Sequence, residues 1–431
     1  MDQGLKSLAK RSNLREPLAF AYVGLILFMV VYFVRPEDWI PGLIGIPLAK
    51  ITGILIFLGL FFPLLQIRWH MPREIMFLAL LVAELWVAAF FSPVWRGGAV
   101  SVMVDFSKVL PVVFVMYAAV RSMTRLRWIF FLQAASVATI AIASIISRQT
   151  IVGRLEGVLQ GIYQDPNDLA VLIDLTLPLC LALALTTGNF WKKLAWIAMM
   201  FAMLYVVFLT ASRAGAVALA VAVLMCVWKM GVKRRRLSLI LLIPLAVMVF
   251  WLYAGKLLRV RFEEGNADPA TRNQSSRAYD SSQGRLRLLT QSLKVTAQHP
   301  LLGVGPGNFE IVSGMWHVTH NSYTQMSAEG GIPAFVLYVL IFWRGISNLR
   351  TARKYSKTTK GVRVFSIALE ASFAAYLVGS FFLSDGYLLF PYYLVAYTSS
   401  LLLIVKRDRI VAHQAEQFRP VPAQAEAAVW H

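Results

Sequence analysis

The feature that most constrains this chain is a repeated one: apolar runs close to 20 residues long, separated by short polar connections. A helix of about 20 apolar residues crosses the roughly 30 Å hydrocarbon core of a bilayer. In lipid, every backbone polar group must be satisfied within a helix or a closed barrel. The runs predict about twelve spans, at 17–34, 43–62, 75–91, 108–120, 128–146, 168–187, 194–211, 214–230, 237–254, 331–347, 364–383 and 388–405. The expected fold class is all-α, a polytopic transmembrane helical bundle. Composition agrees, since the 431 residues are 58% hydrophobic and only 15% charged. A soluble domain carries about 25% charged residues.

The formal net charge of +20 invites a nucleic-acid reading. Topology accounts for it better. With the N-terminus inside, most of the 42 basic residues fall in inside segments, such as Arg121, Arg125 and Arg127, Lys192 and Lys193, and the "KRRR" at 233–236. That is the distribution of the positive-inside rule, so no nucleic-acid partner is expected. The first apolar run follows a basic N-terminus, as a signal peptide would. "FVRPEDWIPG" follows it in place of a small-residue cleavage site, so it reads as a retained span. Cys180 and Cys226 fall inside spans and read as packed thiols.

The organisation that follows is spans one to nine over 1–254, a large extracytoplasmic loop over 255–330 containing short helices, spans ten to twelve over 331–405, and a cytoplasmic tail over 406–431. Long connections in compact proteins are often functional. Two stand out here, both on the outer face: 147–167 and the large loop. In the latter, 263–284 is polar and turn-rich. Residues 285–298 read as a helix with Leu286, Leu289, Leu293 and Thr296 on one stripe, and Ser281 or Ser282 as its cap. Pro300 stops it. This helix is expected to lie flat over the outer end of the bundle.

The outer-face polar residues are mostly arginines, joined by His299, His317 and His320. Arg213 sits in "LTASRAGAVAL" between two apolar runs. A charge near the bilayer usually faces a cavity or a partner; the plainer alternative is an arginine snorkelling to headgroups. Arg285 opens the loop helix, a poor place for a cation against the helix dipole unless an anion sits there. "GVGPGN" (303–308) is a weak phosphate motif, lacking the Lys-Ser/Thr ending of a P-loop, and reads more simply as a tight turn. His317 and His320 without a third ligand make a poor zinc site, so no metal is expected. His320, with an ordinary pKa near 6.5, suits a general base, although a histidine bonded to backbone at a helix start is an equal alternative. Asn321, Ser322 and Tyr323 form a candidate orienting shell. Glu84, Asp105, Lys108, Asp174 and Glu370 fall in or near spans without an assigned role.

"HPLLGVGPGNF" followed by "HNSYTQMSAEGGIP" resembles the signature of the O-antigen ligase and polymerase superfamily. "DPNDLAVLIDLTLP" (165–178) and "LTASRAGAVALAVAV" (209–223) resemble its upstream motifs. The resemblance covers roughly residues 150–345. It implies a membrane glycosyltransferase of GT-C type that takes a glycan from an undecaprenyl-diphosphate carrier and passes it to an acceptor hydroxyl on a lipid or saccharide. It also implies that neither a metal nor another cofactor is required. By this resemblance His320 is the base, and Arg213 and Arg285 are catalytic residues that hold the diphosphate. The expected setting is the bacterial inner membrane, among its lipids, with the site facing the periplasm. A ligase is favoured. A repeat-unit polymerase, a protein O-oligosaccharyltransferase and a lipid-linked sugar transporter stay open. The transporter reading lacks the inverted repeats that it predicts.

Overall fold

The computed structural model describes residues 18–43, 45–66, 71–151, 154–158, 164–230, 276–355 and 360–417. Helices dominate. They are α1 (Ala19–Val34), α2 (Pro36–Trp39), α3 (Leu48–Gln66), α4 (Arg73–Phe90), α5 (Arg96–Phe106), α6 (Val109–Ala119) and α7 (Met123–Ser147). They continue as α8 (Pro166–Thr186), α9 (Phe190–Leu209), α10 (Arg213–Met230), α11 (Ser276–Gln298), α12 (Phe309–Val312), α13 (Ser322–Tyr355), α14 (Lys360–Gly379) and α15 (Phe390–Gln417). A two-residue antiparallel hairpin, β1 (Thr150–Ile151) with β2 (Arg154–Leu155), interrupts the connection after α7.

Seven of the described helical stretches are long and apolar enough to cross a membrane, which makes this a multi-pass membrane protein. About twelve were expected. Helix α1 has 16 residues, and Leu48–Leu60 of α3 counts as a shorter apolar stretch among the described residues. Helix α4 contains Arg73, Glu74 and Glu84. The span expected at 237–254 lies outside the described residues, as do 263–275 of the large loop and 418–431 of the tail. The span placed at 108–120 begins twelve residues earlier in the chain, because α5 and α6 run as one stretch, Arg96–Ala119. The tail expected from 406 is helical as far as Gln417.

Helix α8 is the axis of the bundle and packs against α7, α9, α10 and α14. Its middle is mostly apolar, and Leu169 through Ile173 are fully buried, as in a helix enclosed on every side. Helix α9 is peripheral and buries little beyond Trp196, Met203, Val206 and Val207. Both cysteines are free and buried. Two buried carboxylates staple the far half of α13. Glu74 accepts from Asn348 Nδ2 at 2.7 Å and from Ser399 Oγ at 2.6 Å. Glu370 pairs with Lys229 and Arg353. Buried carboxylates need such partners to offset desolvation.

The tenth span was expected to start at 331. Instead α13 begins at Ser322 and breaks at Gly331, whose φ of 77° and ψ of −179° only glycine adopts readily. The break frees helix carbonyls and N–H groups, and the "GVGPGN" loop satisfies them. Val304 N donates to Ala328 O and Gly305 N to Glu329 O, both at 2.9 Å, while Ile332 N donates to Pro300 O at 2.8 Å. Asn308 Nδ2 anchors the same loop to Ser92 Oγ at 2.8 Å and to Trp95 O at 3.1 Å. The loop is thus a structural seat, and its N–H groups at Val304 and Gly305 are already engaged. A Cβ on Gly331 would lie 2.2 Å from Leu301 O. Gly331→Ala should therefore cost about 2 kcal/mol or more, read as a lowered thermal transition of the purified protein.

Helix α11 also differs from expectation. It starts at Ser276, so Ser281 and Ser282 lie inside it and Arg285 is not at its first turn. The dipole argument for Arg285 therefore does not hold. The buried stripe is Leu288, Ser292 and Val295, whereas Leu286 and Leu293 are more than half exposed. The contact with α13 includes Thr296 Oγ1, which meets Ser327 Oγ at 2.9 Å.

Candidate functional site

The site is built where helix N-termini from distant parts of the chain meet. Helix α8 starts with Asp165 as cap, its carboxylate accepting from Asn167 N at 2.6 Å, and with Pro166 in the first turn. Helix α10 starts beside it. Ser212 Oγ accepts from Gly215 N at 3.1 Å and donates to Asn167 Oδ1 at 2.9 Å. Arg154, delivered by the β1–β2 hairpin, clamps both neighbours. Its Nε donates to Thr210 O at 2.8 Å and its guanidinium to Asn167 Oδ1 at 2.7 Å. Arg213 is the first residue of α10, so this clamp fixes where its side chain starts. Gly215 lets α10 close on α8, since a Cβ there would meet Ala170 Cβ at 2.6 Å.

The third N-terminus is that of α13. Asn321 Oδ1 accepts from Tyr323 N at 3.0 Å and Thr324 N at 3.1 Å, capping the helix. Ser322 Oγ donates to Leu383 O at 2.8 Å and accepts from Asp385 N at 2.9 Å. Tyr323 OH donates to Leu377 O at 2.8 Å. The three residues expected as an orienting shell thus bond to the end of α14 and the loop behind it. They hold the backbone on which His320 stands. His320 itself has φ of 50°, the left-handed region that histidine enters more readily than most residues.

His320, Arg213 and Arg285 are each half-buried. The Arg213 charge acts on Arg285, the Arg285 charge acts on His320, and Asp165 opposes at both. Burial first, then Arg285, lower the His320 imidazole to about 4. It is therefore neutral at pH 7, with a lone pair to offer, and not the half-protonated group that its ordinary pKa suggests. Burial and Arg213 likewise lower the Arg285 guanidinium. Among the described residues, neither Arg213 nor Arg285 has an ion-pair partner.

Sequence reasoning missed the acidic side of this cluster. Asp165 is one member. Asp385 is another, in a loop that the expected span 364–383 partly concealed, because α14 stops at Gly379. Asp385 is buried, and burial, then Asp165, raise its carboxyl well above the usual range. Asp168, on the first turn of α8, faces the Asp385 charge. An isolated acid between two apolar runs was the available signal.

The unassigned residues fall in separate places. Glu370 is in the far staple, and Asp105 pairs with Lys108 on an exposed surface. Asp174 is fully buried in α8 with neither oxygen hydrogen-bonded. Glu84 is half-buried on α4. Among the described residues no three His, Cys, Asp or Glu side chains are placed to share a metal ion.

No curated protein matches the chain. The family model described as Wzy_C, O-Antigen ligase, matches residues 198–339, a stretch that holds Arg213, Arg285 and His320. Over that stretch, about a third of the chain, the protein is similar to the O-antigen ligase family.

Proposed function

We propose that this protein is a metal-independent, inverting glycosyltransferase of the O-antigen ligase type. It moves a glycan from an undecaprenyl-diphosphate carrier to an acceptor hydroxyl on a lipid or saccharide, at the periplasmic face of the inner membrane. The observation that carries the reading is the pairing of two half-buried arginines, without ion-pair partners among the described residues, beside a neutral imidazole. Two like charges held together in a partly dehydrated place favour an anion between them. Guanidinium groups match phosphate oxygens bidentately.

In this reading the acceptor oxygen attacks the anomeric carbon as the bond from that carbon to the diphosphate oxygen breaks. The hydroxyl proton passes to His320, and Arg213 and Arg285 hold the charge of the departing diphosphate. Attack opposite the leaving group inverts the centre. The bound diphosphate also offsets the Arg285 charge, which lifts the imidazole basicity when a base is needed. The direct test is the purified full chain in lipid nanodiscs, given a defined undecaprenyl-diphosphate glycan and EDTA. Transfer to an acceptor sugar supports the reading; transfer only on adding a divalent ion refutes it. Deleting the gene separates the variants of the reaction. Full-length carrier-linked chains left unattached mark a ligase, and accumulated single repeat units mark a polymerase.

The electrostatics predict a pH profile. In the free enzyme His320 protonates near pH 4, so kcat/KM, which reports the free enzyme, should stay level below neutrality and fall near that pH. Arg285→Gln removes a positive charge, which stabilises the protonated imidazole, so the acid limb should move to higher pH. A limb that does not move in that variant means that the titrating base is not His320.

A further inference from the structure

The end of the bundle opposite His320 carries a cavity of about 450 Å³, between the start of α7, the end of α8 and the start of α9. Two cations sit at its polar end, Arg127 and Lys192, with Thr187 beside them, and none of its lining residues is acidic. Both helices that begin here do so with side-chain caps: Ser122 accepts from Arg125 N at 3.3 Å, and Asn189 accepts from Lys192 N at 3.1 Å. The positive ends of two helix dipoles therefore add to the two cations. Arg127 lies over the Phe365 ring at 5.9 Å and makes long hydrogen bonds, 3.4 and 3.5 Å, to Thr186, so its guanidinium keeps donors for another acceptor.

The other wall is apolar and aromatic. Trp128 meets Phe131 edge-on at 5.3 Å, and Phe131 meets Trp196 at 5.6 Å. Trp128 is 55% exposed. Met199 extends the wall, so from Lys192 it runs seven residues along α9, about 10 Å of helix. Helix α9 has few buried residues, so this wall opens to the surroundings of the bundle, which for a membrane protein are lipid. A basic mouth above an aromatic, lipid-open wall matches a phospholipid in shape and charge, and its tryptophans suit the membrane interface.

We propose that this cavity binds an anionic phospholipid of the leaflet at this end, its phosphate on Arg127 and Lys192 and its first acyl methylenes along Trp128, Trp196 and Met199. The assignment is independent of the transferase reading. It is tested by native mass spectrometry of the full chain purified with equal phosphatidylglycerol and phosphatidylcholine. The expected result is one retained phosphatidylglycerol, preferred at least about five-fold. Arg127→Gln and Lys192→Gln should each lower that retention by about five-fold. Trp128→Ser, an exposed position, should lower it without changing charge. Lys193→Gln, next to the site but not lining it, should leave it unchanged. Equal retention of both lipids, or a Lys193→Gln effect as large as that of Lys192→Gln, overturns the proposal. So does displacement of phosphatidylglycerol by millimolar inorganic phosphate, which would mark a soluble-anion site.

Discussion

Replacing His320 with alanine should lower the transfer rate by about 10²–10⁴, the usual contribution of a positioned base, while the protein still inserts and folds. The fall should appear in kcat, with donor affinity little changed, because the imidazole acts on the acceptor hydroxyl and not on the diphosphate. The backbone at this position has φ of 50°, so alanine alone confounds chemistry with strain. His320→Asn separates them, since asparagine tolerates the left-handed region but takes up no proton near neutral pH. The asparagine variant should be as stable as the parent and as inactive as the alanine variant. Wild-type turnover by His320→Asn on a defined donor would remove His320 from the mechanism.

The second large effect is expected at the arginines. Arg213→Ala should lower kcat by about 10²–10³, by analogy with loss of one preorganised donor to a developing anion. Arg285→Ala should do the same through the same leaving group. Because both would contact one diphosphate, the double variant should lose much less than the product of the single losses, as groups acting as a unit do. Strictly multiplicative losses would mean that the two arginines serve different partners. The Asn167–Ser212–Arg154 clamp gives a folding control for Arg213: its hydrogen bonds use the Arg154 guanidinium and not that of Arg213. A lowered thermal transition in Arg213→Ala would therefore point to an unrecognised structural role.

Much of the candidate site was legible in the chain because its residue types are out of place. An arginine between apolar runs at Arg213, and a histidine at the lip of another at His320, are costly near lipid and draw notice for that reason. One of the two grounds for Arg285, its place at a helix start, does not hold, since α11 starts nine residues before it. Asp165 and Asp385 were passed over because capping acids and loop acids are common in any sequence. Their importance comes from whose charge they face, namely Arg285 and His320 for Asp165, and Asp168 for Asp385. The stripe on α11 was misread for a similar reason. Leu286 and Leu293 have the right spacing to be buried, but Leu288, Ser292 and Val295 are the residues that turn inward.

By itself the sequence determined that the chain is helical and membrane-embedded. Lipid offers the backbone no hydrogen bonds, so length and apolarity of a run largely decide its structure one segment at a time. Only the tertiary structure decided what depends on segments far apart in the chain. It brings the starts of α8, α10 and α13 to one end of the bundle and seats the glycine loop in the break at Gly331. It also sets the Arg285 charge against His320, so that the imidazole is neutral and loses basicity. Electrostatic shifts and close packing depend on distances between side chains, and no local pattern of residues encodes those distances.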